Sequence, residues 1–198
     1  MKKFFTLLIL SIGLISINAQ TTCLPQGITL TSQQQVDDFP ANYPGCIHIL
    51  GGLTIGKSGS GTDITNLAGL NVLTIIDGKL DLWNNPLLTS LEDLDQLGAI
   101  GGDLYLTNCH GLSDLSGLEG LITIGGGMIF FNNSNLEQLT GLSNITQLGG
   151  NLDLYANNSL VNLNALNSLT HIGGDCLITY NEALEDLTGL NALTNIGG

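Results

Sequence analysis

Apolar residues recur in this chain in one fixed frame. Starting from Ile76, equivalent positions fall at Ile100, Ile124, Leu148, Ile172 and Ile196, 24 residues apart with no slippage. Two positions on, every unit carries a glycine, as at Gly78, Gly102, Gly126, Gly150, Gly174 and Gly198. Two apolar residues then alternate with other types: Leu80/Leu82, Leu104/Leu106, Met128/Phe130, Leu152/Leu154 and Cys176/Ile178. An asparagine column follows at Asn85, Asn133, Asn157 and Asn181, with Cys109 in the remaining unit. Leucines then come every three residues, as in Leu112, Leu115, Leu118 and Leu121. An earlier unit starts at Ile49 and carries a three-residue insertion around 58–61.

Each column has a physical reading. Alternation at period two predicts a strand with Leu104 and Leu106 facing inward and Asp103, Tyr105 and Thr107 facing outward. Leucines spaced by three cannot form one α-helical stripe, because each step falls about 60° short of a full turn. They predict short arcs or 3₁₀-like bends whose corners point inward. The glycine column predicts a positive φ or a close backbone approach. Asp77 stands where later units have their first glycine, so the second glycine is expected to be the stricter, Gly126→Val more damaging than Gly125→Val. The asparagines predict a ladder, each side chain bonding the backbone of the next turn. Cys109 and Cys176 are read as buried thiols, three turns or about 14 Å apart, too far to bridge. A single turn cannot hide its own leucines, so the pattern predicts a mainly β fold that exists only as a stack, here of about six 24-residue turns.

The N-terminal part breaks the frame. Lys2 and Lys3 precede an apolar run over 4–17, and Ala19 offers a small residue before a cut. Residues 1–19 therefore read as a secretory signal peptide, too short to span a membrane. No later apolar run approaches the roughly 18–20 residues of a spanning helix. Removal of the signal leaves Lys57 and Lys79 against 17 acids, about −15, with no arginine. A phosphate backbone needs clustered Lys and Arg, so nucleic acid is excluded as a partner. Cys23 and Cys46 bracket the only irregular stretch and are paired as a disulfide, which closes a loop worth about 3 kcal/mol in the chain-entropy model. Residues 20–48 are read as an N-terminal cap, in which "TSQQQVDDF" offers Ser32 as the N-cap of a short polar helix.

The pattern I-G-G-x-L-x-L-x-x-N…L-x-x-L-x-x-L-x-x-I is similar to leucine-rich repeats, with Gly101 and its equivalents where such a repeat would place a leucine. It more closely resembles the receptor L domain, and "FPANYPGCIHILGGLTI" over 39–55 resembles the opening of such domains. The resemblance implies a right-handed β-helical, leucine-rich-repeat-like solenoid over 49–198, in a bacterial secreted member of the family. It also implies recognition rather than catalysis. Gly198 falls in mid-unit, so further repeats or an anchoring domain are expected beyond it.

Candidate chemistry is thin. Asp81 with Asp103, and Asp153 with Asp175, sit diagonally across adjacent turns at a glycosidase-like separation, but acids on a solvated strand face are the simpler reading. Cys109-His110 lacks the second half of a zinc site. Glu92, Asp93 and Asp95 read as a solvated edge, and "GKSGSG" as the insertion of the first turn. No enzyme activity, cofactor or metal is expected. The outward strand face is different: its last column reads Trp83, Thr107, Phe131, Tyr155, Thr179, with Tyr105 beside it and Ile129 and Leu177 also outward. A water-facing sheet has no folding need for tryptophan, and exposed aromatics on a rigid backbone make binding hot spots. Trp83, Tyr105, Phe131 and Tyr155 are therefore the candidate ligand residues of a secreted or cell-surface adhesion module for a protein or glycan. A structural spacer of an envelope protein is the alternative, and a carbohydrate-active enzyme comes third.

Overall fold

The computed structural model describes residues 21–198, so the signal-peptide reading of 1–19 lies outside the described residues. Two parallel sheets carry the chain. One has eight strands and takes the short segments Thr21–Cys23, Cys46–Ile49, Ile75–Ile76, Ala99–Ile100, Thr123–Ile124, Gln147–Leu148, His171–Ile172 and Asn195–Ile196 in sequence order. The other has seven strands: Ile28–Leu30, Leu53–Gly56, Leu80–Trp83, Leu104–Thr107, Met128–Phe131, Leu152–Tyr155 and Cys176–Thr179. Strands therefore alternate between the sheets, and each pairs with its equivalent one turn away. This is consistent with a parallel β-solenoid.

Register follows the sequence frame. Leu104 pairs with Leu80 and Met128, and Leu106 with Leu82 and Phe130, all of them buried. Up to Leu169 the leucines spaced by three are buried as well, at corners formed partly by the 3₁₀ segments Ala68–Leu70, Glu92–Leu94 and Asn164–Leu166, and Thr188–Leu190 makes the same bend in the last turn. In the two turns between, Gly117 and Gly141 adopt φ of 106° and 105° at the matching bend.

The asparagine column forms a buried ladder. Asn133 Nδ2 donates to Leu106 O at 2.9 Å while its Oδ1 accepts the Cys109 amide at 2.9 Å. Asn157 repeats this on Phe130 O and the Asn133 amide, and Asn181 on Leu154 O and the Asn157 amide. Thr62 opens the ladder by donating its hydroxyl to Asn85 Oδ1 at 2.7 Å. The bonds point back to the preceding turn, not on to the next as the sequence reading had it. The Cβ of each asparagine follows its own strand, so the amide reaches the carbonyl of the strand already laid down.

The glycine expectation is also corrected. Among the paired glycines of the repeat, none has positive φ; the constraint is close approach alone. A Cβ at Gly125 would collide with the backbone carbonyl oxygen of Gly101, whereas at Gly126 the nearest atom is the movable Asp103 carboxylate, with Asp103 N and Gly102 C at 2.8 Å. Both columns are tight, and the ranking of the second above the first has no steric basis.

The ends differ from the middle. Thr21–Cys23 and Ile28–Leu30 already pair with Cys46–Ile49 and Leu53–Gly56, so the cap stretch supplies strands of its own. Ser32 caps the helix Gln33–Asp37 by accepting the Gln35 amide, and Val36 and Phe39 seal the first turn with zero exposure. Cys23 and Cys46 are joined by a disulfide between adjacent strands. At the other end Leu187 and Ile196 are about half exposed, at 52% and 47%. Cys176, expected to be buried, is only half-buried there, because its strand has a neighbour on one side alone.

From Leu80–Trp83 onward, one residue per turn lies in the left-handed region directly after the long strand: Asn84, Asn108, Asn132, Ala156 and Tyr180, with φ between 54° and 57°. This residue turns the chain into the ladder. Asparagine tolerates the conformation, while Ala156 and Tyr180 carry a penalty of about 1–2 kcal/mol each. Asn132 Nδ2 also donates to Asn108 Oδ1 at 2.7 Å. Ala156→Asn is therefore expected to stabilise the chain by about 1 kcal/mol and raise melting by roughly 2–4 °C. Thermal unfolding of the two proteins checks this; a lower melting point would contradict the assignment of the strain.

Candidate functional site

The outward face of the seven-stranded sheet is built by register. Trp83, Thr107, Phe131, Tyr155 and Thr179 are successive partners in one column. Trp83 is 38% exposed and Phe131 43%, while Tyr155 is half-buried. The Phe131 and Tyr155 rings are stacked, with centroids 4.9 Å apart and planes 2° from parallel. Tyr180 meets Tyr155 edge-on at 5.1 Å and is 71% exposed.

The candidate residues thus separate into three groups. Phe131 and Tyr155 are brought together. Trp83 is left on the far side of Thr107, two strands or roughly 10 Å along the stack. Tyr105 stands in the neighbouring column, opposite Asp81 and Ile129. It is tied into a polar network: its hydroxyl donates to Asp103 Oδ2 at 3.1 Å, and Lys79 Nζ lies 5.3 Å from its ring centroid. Burial and then the Asp103 charge hold its phenol above the usual range. Tyr180 escaped the sequence reading because it follows the strand, in a column otherwise filled by Asn84, Asn108, Asn132 and Ala156. An aromatic residue where asparagine recurs was the available signal.

The remaining chemistry is engaged elsewhere. Lys79 Nζ pairs with Asp81 Oδ2 at 2.7 Å, and Asp103 Oδ1 accepts the Gly127 amide at 2.6 Å. Cys109 faces the ladder with Sγ 3.4 Å from Leu82 O, while His110 Nδ1 meets Ser134 Oγ at 3.0 Å. Among the described residues, no three His, Cys, Asp or Glu side chains gather as metal ligands, and no helix is long and apolar enough to cross a membrane.

No protein-family model, curated protein or solved structure matches this chain. Two hollows lie away from the aromatics. One, of about 320 Å³, sits on the leucine arcs between Glu119, Gln138 and Asn162. The other, of about 480 Å³, crosses the short-stranded sheet near Ile122, Gln147 and His171. Both are open; the first is lined mainly by polar side chains, among them Glu119, Gln138, Thr140 and Asn162, and the second mainly by apolar and backbone groups with Gln147 and His171. The aromatic column lies on a sheet face, a shape suited to an extended ligand.

Cys109 supplies a pH test of the ladder. Burial pushes its thiol up from 9.0 to about 11, against the smaller opposing effect of bonds from the Asn85 backbone and side chain. Between those values the unfolded thiol has lost its proton and the folded one keeps it, so stability falls as pH rises from 9 to 11. The expected loss is about 2–3 kcal/mol. Denaturant unfolding of wild type and Cys109→Asn at both pH values measures it. The variant should lack that part of the alkaline loss, and equal losses would contradict the burial assignment.

Proposed function

We propose that this chain is an exported, non-catalytic recognition module of the receptor-L-domain kind, a right-handed leucine-rich-repeat-like solenoid that binds a surface protein or glycan. The 24-residue advance and the L-x-L-x-x-N columns support the fold part of this reading. The Cys23–Cys46 disulfide supports an oxidising compartment. The observation that carries the function is the exposed aromatic group of Phe131, Tyr155 and Tyr180 on the outward face of the long-stranded sheet. It extends beyond what the core requires, and a stacked sheet gives it a rigid base, which lowers the entropy lost on binding.

A spacer role has one observation in its favour. The Phe131–Tyr155 stack is a cross-strand pair, worth about 0.5–1.5 kcal/mol to folding by itself. The two readings separate experimentally. Immobilised wild type, the double variant Phe131→Ser/Tyr155→Ser, and Ile122→Ser on the opposite sheet are exposed to solubilised envelope material from the producing cells. Ile122 is 66% exposed and serves as the control. Capture should persist with the control and fall at least about tenfold with the double variant, a loss of about 1.4 kcal/mol or more. Undiminished capture by the double variant, with a lowered melting point, assigns the aromatics to structure and moves binding off this face; no capture by wild type assigns the module to spacing.

A further inference from the structure

We infer that the slot over Thr107, between Trp83 and Phe131, receives an arginine side chain presented by a partner protein. This rests on the recognition-module reading and names the chemistry of its ligand.

The slot follows from register. Trp83, Thr107 and Phe131 are successive partners in one column, so the two aromatic residues stand two strand spacings apart, roughly 10 Å. Thr107 is half-buried, and its short side chain leaves open the height that a ring fills on either side. The Phe131 and Tyr155 rings are 4.9 Å apart with planes 2° from parallel, so Phe131 turns one face to Tyr155 and the other toward Thr107. Tyr180 meets Tyr155 from the next turn. Trp83 has Gly56 as its other column neighbour. Among the described residues, no ring lies against Trp83 or against the Thr107 side of Phe131. A flat group entering edge-on above Thr107 would lie about 5 Å from each wall, inside the roughly 6 Å reach of cation–π attraction.

Charge selects a cation over a neutral ring. The chain carries 17 acids, and beyond the signal segment only Lys57 and Lys79 oppose them. On the outward face Lys79 is offset by Asp81, while Asp103 and Asp153 have no paired cation among the described residues. These carboxylates, and the field of the whole chain, draw in a cation and repel an anion. The face already holds one cation on a ring, since Lys79 Nζ lies 5.3 Å from the Tyr105 centroid.

The shape selects guanidinium over ammonium. A guanidinium is planar and weakly hydrated, stacks on aromatic faces, and keeps its N–H groups at the edge. Between the two walls those groups would point at the Thr107 hydroxyl and outward to the carboxylates, both of which accept. An ammonium is compact and strongly hydrated, and gains less from two parallel walls. This chain has no arginine of its own, so a second copy cannot supply the group.

Trp83 is the chain's single tryptophan, and its emission reports on the slot directly. The test titrates the protein with tri-arginine amide at about 0.15 M salt, where long-range attraction is screened. Trilysine amide serves as the non-planar cation and tri-citrulline amide as the planar group without charge. Tri-arginine should change the emission saturably and bind at least about fivefold more tightly than trilysine; tri-citrulline should not bind. Thr107→Phe fills the slot with a ring that continues the stack. It should melt no lower than wild type yet lose at least about fivefold in affinity by calorimetry. Phe131→Leu removes one wall and keeps the reporter; it should weaken binding similarly and stands in if the first variant misfolds. No binding of tri-arginine, equal binding of trilysine or tri-citrulline, or unchanged affinity in both variants would overturn the assignment. If tri-arginine fails while envelope capture persists and is lost in Phe131→Ser/Tyr155→Ser, the arginine slot falls and the module reading stands. If both assays are blank, both fall.

Discussion

The buried asparagine column is the interaction on which the rest of this structure depends. Asn85, Asn133 and Asn157 are fully buried, and each side-chain amide donates to a strand carbonyl of the preceding turn. Between Asn133 and Asn181, each also accepts the main-chain amide of the preceding column member. A buried amide costs heavily when unpaired, so the ladder tolerates one vertical register between turns. The leucine arcs supply most of the apolar burial, but they are interchangeable from turn to turn. The asparagines specify which strand lies under which.

That register makes the outward face meaningful. Because Trp83, Thr107, Phe131, Tyr155 and Thr179 fall in one column, a pattern spread over about a hundred residues of sequence becomes a line of neighbours a few ångströms apart. The rings stand on strands whose opposite faces are fully buried, so their backbone is fixed before any ligand arrives. The left-handed residue after each strand has two roles. It turns the chain into the ladder in the five units from Leu80–Trp83 onward, and at Tyr180 it also extends the aromatic group.

Much of the fold was legible in the sequence because the period never slips from Ile76 onward. Strand faces, inward leucine corners, the Ser32 cap and the Cys23–Cys46 pair all follow from spacing and residue type. What was not legible depended on backbone geometry without a constant residue. The left-handed column holds asparagine in three turns but Ala156 and Tyr180 in two others, so no single letter marked it. The direction of the ladder and the tightness of the first glycine column depend on which turn lies behind each residue. Thr21–Cys23 and Ile28–Leu30 lack the repeat's glycines and were hidden in an apparently irregular cap. Of the candidate site, Phe131 and Tyr155 were legible as a pair; Tyr105 was drawn into a polar network by Lys79 and Asp103, which alternation alone does not reveal.

The central claim is that the buried ladder, rather than leucine packing alone, holds the turns in register. Asn133→Leu tests it most directly, since the substitute matches the size of the amide and suits an apolar interior. Removing the amide leaves Leu106 O and the Cys109 amide without their partner and takes one donor from Asn157 Oδ1. Equilibrium denaturation of the variant should show a loss of at least about 3 kcal/mol. A loss below about 1 kcal/mol, or a gain, would contradict the account and return the register to the leucines.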